Sequence, residues 1–180
     1  AVAPLAFILP PPAGPVALRT IPTDDTPGFD GDKRAGAEAL AALGDELADL
    51  QERLWAERSS GSARRVLLVL QGMDSSGKGG VLRHTVGLVD PQGVKITSFK
   101  APTEEERRHD FLWRIHPHTP ARGQIGIFNR SHYEDVTAPR VSGATNAAEW
   151  TRRYEHIRHF EQLLTDTGTH VVKFHLRISK

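Results

Sequence analysis

The sequence predicts an α/β protein, a parallel β-sheet sandwiched by helices and ending after its fourth strand. Three observations predict this. Short apolar runs suited to strands alternate with helical patterns. The first run, Val66–Leu70, is continuously apolar, as a central strand covered on both faces is. A glycine-rich stretch, "GMDSSGKGG" at residues 72–80, then joins that run directly to a helical pattern. The 180 residues are enough for one domain with a sizeable core. The chain has no cysteine, which excludes a disulfide framework and a Cys-based metal site and points to the cytoplasm. No apolar run reaches the length of a bilayer span. The opening "AVAPLAFILPPPAGP" lacks a basic segment and is broken by prolines, so it does not read as a secretory signal. With no initial Met, the chain reads as a processed or trimmed product.

Taken in order, residues 1–32 are rich in Pro, Gly, Asp and Thr and read as an extended arm with turns. Residues 33–180 then form the core. Residues 33–58 read as a helix, because Leu40, Leu43, Leu47, Leu50 and Leu54 alternate spacings of three and four and make one apolar stripe. That stripe fits packing on the domain or on a sister subunit, and so suggests a homo-oligomer. "SSGSA" breaks the helix. Strands are expected at Val66–Leu70, Val94–Phe99, Ile125–Phe128 and Thr169–Ile178. Helices are expected at 77–89, 103–115 and 147–165, the last opened by Asn146 and Glu149 as a capping box.

The glycine-rich stretch follows the pattern GxxxxGK[ST] except at its last place, where Gly79 stands for the hydroxyl residue. A tight turn between strand and helix points backbone N–H groups inward to hold phosphate oxygens. Gly72, Met73, Ser75, Ser76, Gly77, Gly79 and Gly80 are the expected phosphate-binding residues, and Lys78 brings a full positive charge to the phosphoryl group. Without the usual hydroxyl, Asp74 is the expected ligand of Mg²⁺. A carboxylate inside a phosphate cradle repels the substrate unless a cation lies between them. Strand, loop and helix together predict a sheet of the P-loop kinase type.

A second motif, "IFNRSHYEDV" at 127–136, ends a short strand with polar groups, which in a parallel sheet face the ligand crevice. Asn129 occupies the place where a P-loop kinase carries an acid, so Glu134 and Asp135 are candidates to cover the missing charge, Glu134 as a second metal ligand. Arg130 is placed to offset charge on a transferring phosphoryl group. Ser131 and Tyr133 complete the motif. Nine histidines include the spacings His116/His118 and His156/His159, but no cysteine and no acidic pattern supports zinc there. Trp55, Trp113 and Trp150 read as core or interface anchors.

Together the two motifs resemble the family-2 polyphosphate kinases. The similarity begins near "DDTPGF" and runs through "LQERLWAE", "VLQGMDSSGKGG", "SFKAPTEEE", "FLWRIH" and "IFNRSHYEDV" to "RRYEHIRHFEQLL" and "VVKFHLRISK". It implies phosphoryl transfer between inorganic polyphosphate and adenine or guanine nucleotides, with Mg²⁺, carried by Asp74, Lys78 and Arg130. It implies no nucleic-acid or membrane partner. Asn129 resembles the subgroup that phosphorylates nucleoside monophosphates as well as diphosphates. Residues 64–130 carry 11 Lys/Arg against 6 Asp/Glu, a field suited to a polyanion. Lys100, Arg107, Arg108, Arg114 and Arg122 are its groove candidates. Two features depart from the family pattern. "YEDVTAPRV" is less apolar than expected, and the lid and last strand would lie beyond Lys180, so the chain reads as a member lacking its final third. An ATP-dependent small-molecule kinase and a non-catalytic polyanion-binding fragment are the alternatives.

Overall fold

The computed structural model describes residues 16–24, 26 and 29–178. Most of the arm expected over residues 1–32 lies outside the described residues. Helix α1 spans Lys33–Glu57 and is opened by Asp32, whose carboxylate accepts the Ala35 N–H at 2.8 Å. The remaining elements are β1 (Arg65–Gly72), α2 (Lys78–Thr85), β2 (Val94–Ser98), β3 (Ile125–Asn129), α3 (Glu134–Ser142), α4 (Ala147–Asp166) and β4 (Thr169–Leu176). The four strands form one parallel sheet in the order β2-β3-β1-β4. The α/β class and all four expected strands are therefore observed.

Register fixes where the chemistry sits. Leu70 pairs with Asn129, Ser98 also pairs with Asn129, and Gly72 pairs with Leu176. The carboxyl ends of β1 and β3 thus lie side by side, and the phosphate loop and the second motif leave the sheet together. On one face Leu67, Val69 and Phe128 pack with Phe99, Ile115, Phe160 and Leu164. Phe99 meets Phe128 edge-on, with ring centroids 4.9 Å apart.

Four expectations need correction. Residues 103–115 form no α-helix. Thr103 and Glu106 cap each other (2.7 and 3.2 Å), but the turn they start, Glu106–Arg108, is 3-10 and stops at the extended residue His109. Asp110 then takes the Leu112 N–H at 3.0 Å and begins a new turn. Conversely, α3 forms where no helix was expected, with Pro139 inside it. A proline at that place leaves the Asp135 carbonyl without its partner four residues on, and the Arg153 guanidinium supplies one at 2.5 Å. At the start of α4, Asn146 accepts the Glu149 N–H, but the Glu149 carboxylate turns to Arg153 at 2.7 Å, so the capping box is only half made. The tryptophans do not enter the core cluster. Arg58 lies over Trp55, Arg140 lies over Trp150, and His109 stacks on Trp113.

Helix α1 packs on the connection between α2 and β2 through Gly44, beside Leu88, and Gln51, beside Gly93. A Cβ at Gly93 would lie 1.9 Å from the Gln51 amide nitrogen, so a side chain there would displace the end of Gln51. Of the leucine stripe only Leu40 and Leu54 are half-buried. Leu43, Leu47 and Leu50 stay 37–53% exposed.

Candidate active site

The loop after β1 is shaped by steric demand at two glycines. A Cβ at Gly72 would lie 2.5 Å from Ser76 Oγ and 2.7 Å from the Leu176 carbonyl. Gly77 has a φ of 88°, in the left-handed region that favours glycine. Ser75 adopts the same region at 67°. Ser76 is buried, with its Oγ turned inward, and its N–H donates to the Met73 carbonyl at 3.1 Å. Met73 is exposed. Helix α2 starts at Lys78, and Val81 is the residue whose N–H bonds back to Gly77. The Lys78, Gly79 and Gly80 N–H groups are therefore the open first turn of the helix, the arrangement that attracts anions. A Cβ at Gly79 or Gly80 would meet nothing within 4 Å.

Lys78 Nζ donates to the Gly72 and Met73 carbonyls, at 2.7 Å each. An ammonium has three donors, so one is left to face a ligand. Across the crevice Arg130, at the end of β3, donates to Asp74 Oδ1 at 2.5 Å. Asp74, Ser75, Gly77, Lys78, Asn129 and Arg130 share one cavity of about 400 Å³. A neighbouring cavity of about 620 Å³ joins Asp74 and Arg130 to Glu134 and His175. The structure thus brings Asp74, Lys78, Asn129, Arg130 and Glu134 into one crevice. The Asp74–Arg130 pair is open to water, with side chains 82% and 42% exposed. Such a pair holds by only about 0–1 kcal/mol, so an incoming phosphate can part it.

Ser131 and Tyr133 are placed differently. Ser131 is fully buried and accepts the Gln71 amide at 2.9 Å. The Tyr133 hydroxyl donates to Glu161 at 2.9 Å and accepts from Lys173 at 3.1 Å. His132, also fully buried, meets the same Glu161 at 3.2 Å. These three residues anchor the motif from below. Burial alone would raise the Glu161 carboxyl, but its bonds from His132, Lys173 and Tyr133 and the Lys173 charge bring it down to about 2. Burial, with the Glu161 charge, pushes the Tyr133 hydroxyl up.

Two groove candidates are reassigned. Arg114 is buried and bonds Asp135 and the Lys100 carbonyl, each at 2.8 Å, so it ties the segment after β2 to α3. Arg122 precedes β3 and lies at the opposite end of the sheet from the phosphate loop. Lys100, Arg107 and Arg108 are exposed, although Arg108 is paired with Glu104 and Glu105. Three of the four histidines singled out earlier sit against aromatic rings: His116 on Phe160, His118 on Phe99, His156 on Phe111. Among the described residues no three His, Asp or Glu side chains converge on a metal position.

Sequence reading missed a third feature. A cavity of about 1040 Å³ lies between residues 102–116, α3 and α4, and its lining includes Arg107, Arg152, His156 and His159. The signal was present, since residues 152, 156 and 159 follow helical spacing along α4.

A family model described as Polyphosphate kinase 2 (PPK2) matches residues 30–180. An AMP/ADP-polyphosphate phosphotransferase of Meiothermus ruber is 47% identical over 169 residues, covering 94% of this chain and 62% of that protein. A polyphosphate:AMP phosphotransferase of Pseudomonas aeruginosa is 41% identical over 150 residues, 83% of this chain and 29% of that protein. The crystal structure of polyphosphate kinase 2 from Arthrobacter aurescens TC1 superposes with a TM-score of 0.92 at 50% identity, covering 97% of this chain and 61% of that one. The chain therefore spans about three fifths of the Meiothermus and Arthrobacter proteins. With the family model matched over residues 30–180, the chain belongs to the polyphosphate kinase 2 family.

Proposed function

We propose that this chain carries the phosphoryl-transfer crevice of a polyphosphate:nucleotide phosphotransferase. The observation that carries the reading is the meeting of Asp74, Lys78 and Arg130 at the open first turn of α2. The amides of residues 78–80 and the free donor of Lys78 hold the phosphates around the transferring group. Arg130 leaves Asp74 and offsets the charge that spreads over the equatorial oxygens in the transition state. The bond between the terminal phosphorus of polyphosphate and its bridging oxygen breaks as an oxygen of the nucleotide's last phosphate bonds to that phosphorus. Positioning and electrostatics suffice, with no covalent intermediate on the protein.

Mg²⁺ fits the donor set. Asp74 and Glu134 line one cavity, and Mg²⁺ takes one or two carboxylates together with phosphate oxygens and water rather than an all-protein cage. When bound, it would neutralise phosphate charge between the two carboxylates. The names of the matched relatives supply adenine nucleotides as acceptors, and Asn129 in place of an acid favours monophosphates beside diphosphates. Guanine nucleotides belong to the same reading. The arginines of the larger cavity extend the field that draws a polyanion. We place the protein in the cytoplasm as a homo-oligomer, a reading supported by the lack of cysteine and by the exposed Leu43, Leu47 and Leu50. No described helix is long and apolar enough to cross a membrane.

The test is Asp74→Asn. Its side chain is 82% exposed, so the fold should be unchanged while polyphosphate-dependent transfer falls at least about 100-fold and Mg²⁺ dependence weakens. Full activity in that variant would rule out the role given to Asp74.

A further inference from the structure

Arg130 has a φ of 62°, a left-handed conformation disfavoured for any residue with a Cβ. Something must hold it there. On one side the Arg130 N–H bonds the Leu70 carbonyl at 3.1 Å. On the other side the chain runs straight into Ser131, His132 and Tyr133. His132 and Tyr133 both end on one carboxylate: Glu161 Oε1, on α4, takes His132 Nε2 at 3.2 Å and the Tyr133 hydroxyl at 2.9 Å. Glu161 Oε2 takes Lys173 Nζ, on β4, at 2.6 Å, and Lys173 returns to the Tyr133 hydroxyl at 3.1 Å. A carboxylate can only accept, so His132 carries its proton on Nε2. Among the described residues its buried Nδ1 has no partner, and Glu161 makes the one hydrogen bond of that ring. An amide at position 161 would keep one accepting oxygen and turn an NH₂ toward groups that themselves donate.

We propose that Glu161 and Lys173, outside both sequence motifs, are positioning residues that clamp His132 and Tyr133 and so hold Arg130 aimed across the crevice at Asp74. The inference rests on the proposed transfer role of Arg130 for its kinetic consequence. The clamp itself rests on geometry alone. Neither residue touches the crevice cavity that holds Lys78 and Asn129, so neither is a catalytic residue.

The test is a double-mutant cycle with a spectroscopic control. Glu161→Gln should lower kcat about 100-fold, the scale of a small misplacement of a catalytic group, with the KM for polyphosphate little changed. In an Arg130→Ala background the same substitution should cause no further loss. Equal fractional losses in both backgrounds would overturn the inference, because Glu161 would then act on the fold at large. In parallel, the Arg130 Nε–H resonance, assigned through Arg130→Lys, should move in Glu161→Gln. An unmoved resonance would also overturn it. If the parent chain makes no transfer from polyphosphate, the proposed function fails, and the resonance still decides the clamp. Should Glu161→Gln not fold, Lys173→Met is read in the same way, since Lys173 is half exposed, and Lys173→Arg should restore what Lys173→Met loses.

Discussion

Protonating Glu161 should cost the folded state roughly 3 kcal/mol. Its side chain is 13% exposed, and burial by itself would hold the carboxyl above its ordinary 4.5. Hydrogen bonds from His132, Lys173 and Tyr133, with the Lys173 charge, overcome burial and bring it to about 2. In the unfolded chain none of these partners is in place. At about 1.4 kcal/mol per pH unit the lowering from 4.5 to about 2 gives roughly 3 kcal/mol. This is an upper figure, because Lys173 is 47% exposed and its charge is partly screened by water. The sign follows from a depressed folded value: the stabilisation is fully present above pH 4.5 and is lost as the pH falls toward 2. Urea unfolding of the parent and of Glu161→Gln from pH 7 to pH 2.5 isolates this group from other carboxylates. The gap between the two proteins should be constant well above pH 4.5 and shrink by at most roughly 2.5 kcal/mol by pH 2.5. A gap that stays constant through the acid range would refute the network as drawn.

Other substitutions separate structural from functional side chains. Arg114→Ala leaves the Asp135 carboxylate buried without its ion-pair partner and should cost about 3–5 kcal/mol in chemical denaturation. Arg107→Ala, at an exposed side chain, should change stability by less than about 0.5 kcal/mol while weakening polyphosphate binding at low salt. Gly72→Ala forces a Cβ onto Ser76 Oγ and the Leu176 carbonyl and should destabilise by about 1–3 kcal/mol. Gly79→Ser meets open space in the first turn of α2 and should fold as well as the parent or slightly better, measured as an unchanged or raised Tm.

The fold was legible because its cues are local. The uninterrupted apolar run of β1, the glycines of the turn and the capping residue Asn146 each act within a few positions of themselves. The crevice was legible for the same reason, since both its motifs are contiguous in the chain. What escaped was set by distant partners. No helix was expected at 134–142, where Pro139 frees a carbonyl that Arg153, fourteen residues on, takes. One miss was local instead: residues 103–115 have helical spacing, but the Asp110 carboxylate takes the Leu112 N–H two residues on and restarts the turn. Arg114 looked like a groove cation because its burial depends on Asp135, which only the tertiary fold brings to it. Glu161 and Lys173 lie within two stretches that carry the family resemblance, but nothing local marks either as a partner of His132 or Tyr133, which β3 brings to them across the sheet.

The central claim, that Asp74, Lys78 and Arg130 form a polyphosphate-using transfer crevice, is tested most directly by measuring ATP formation. The assay supplies long-chain polyphosphate and Mg²⁺, with ADP or AMP as the acceptor. The account predicts ATP from ADP, and ADP followed by ATP from AMP, each abolished by Lys78→Ala. Polyphosphate binding without any nucleotide product, or product formation that survives Lys78→Ala, would contradict it.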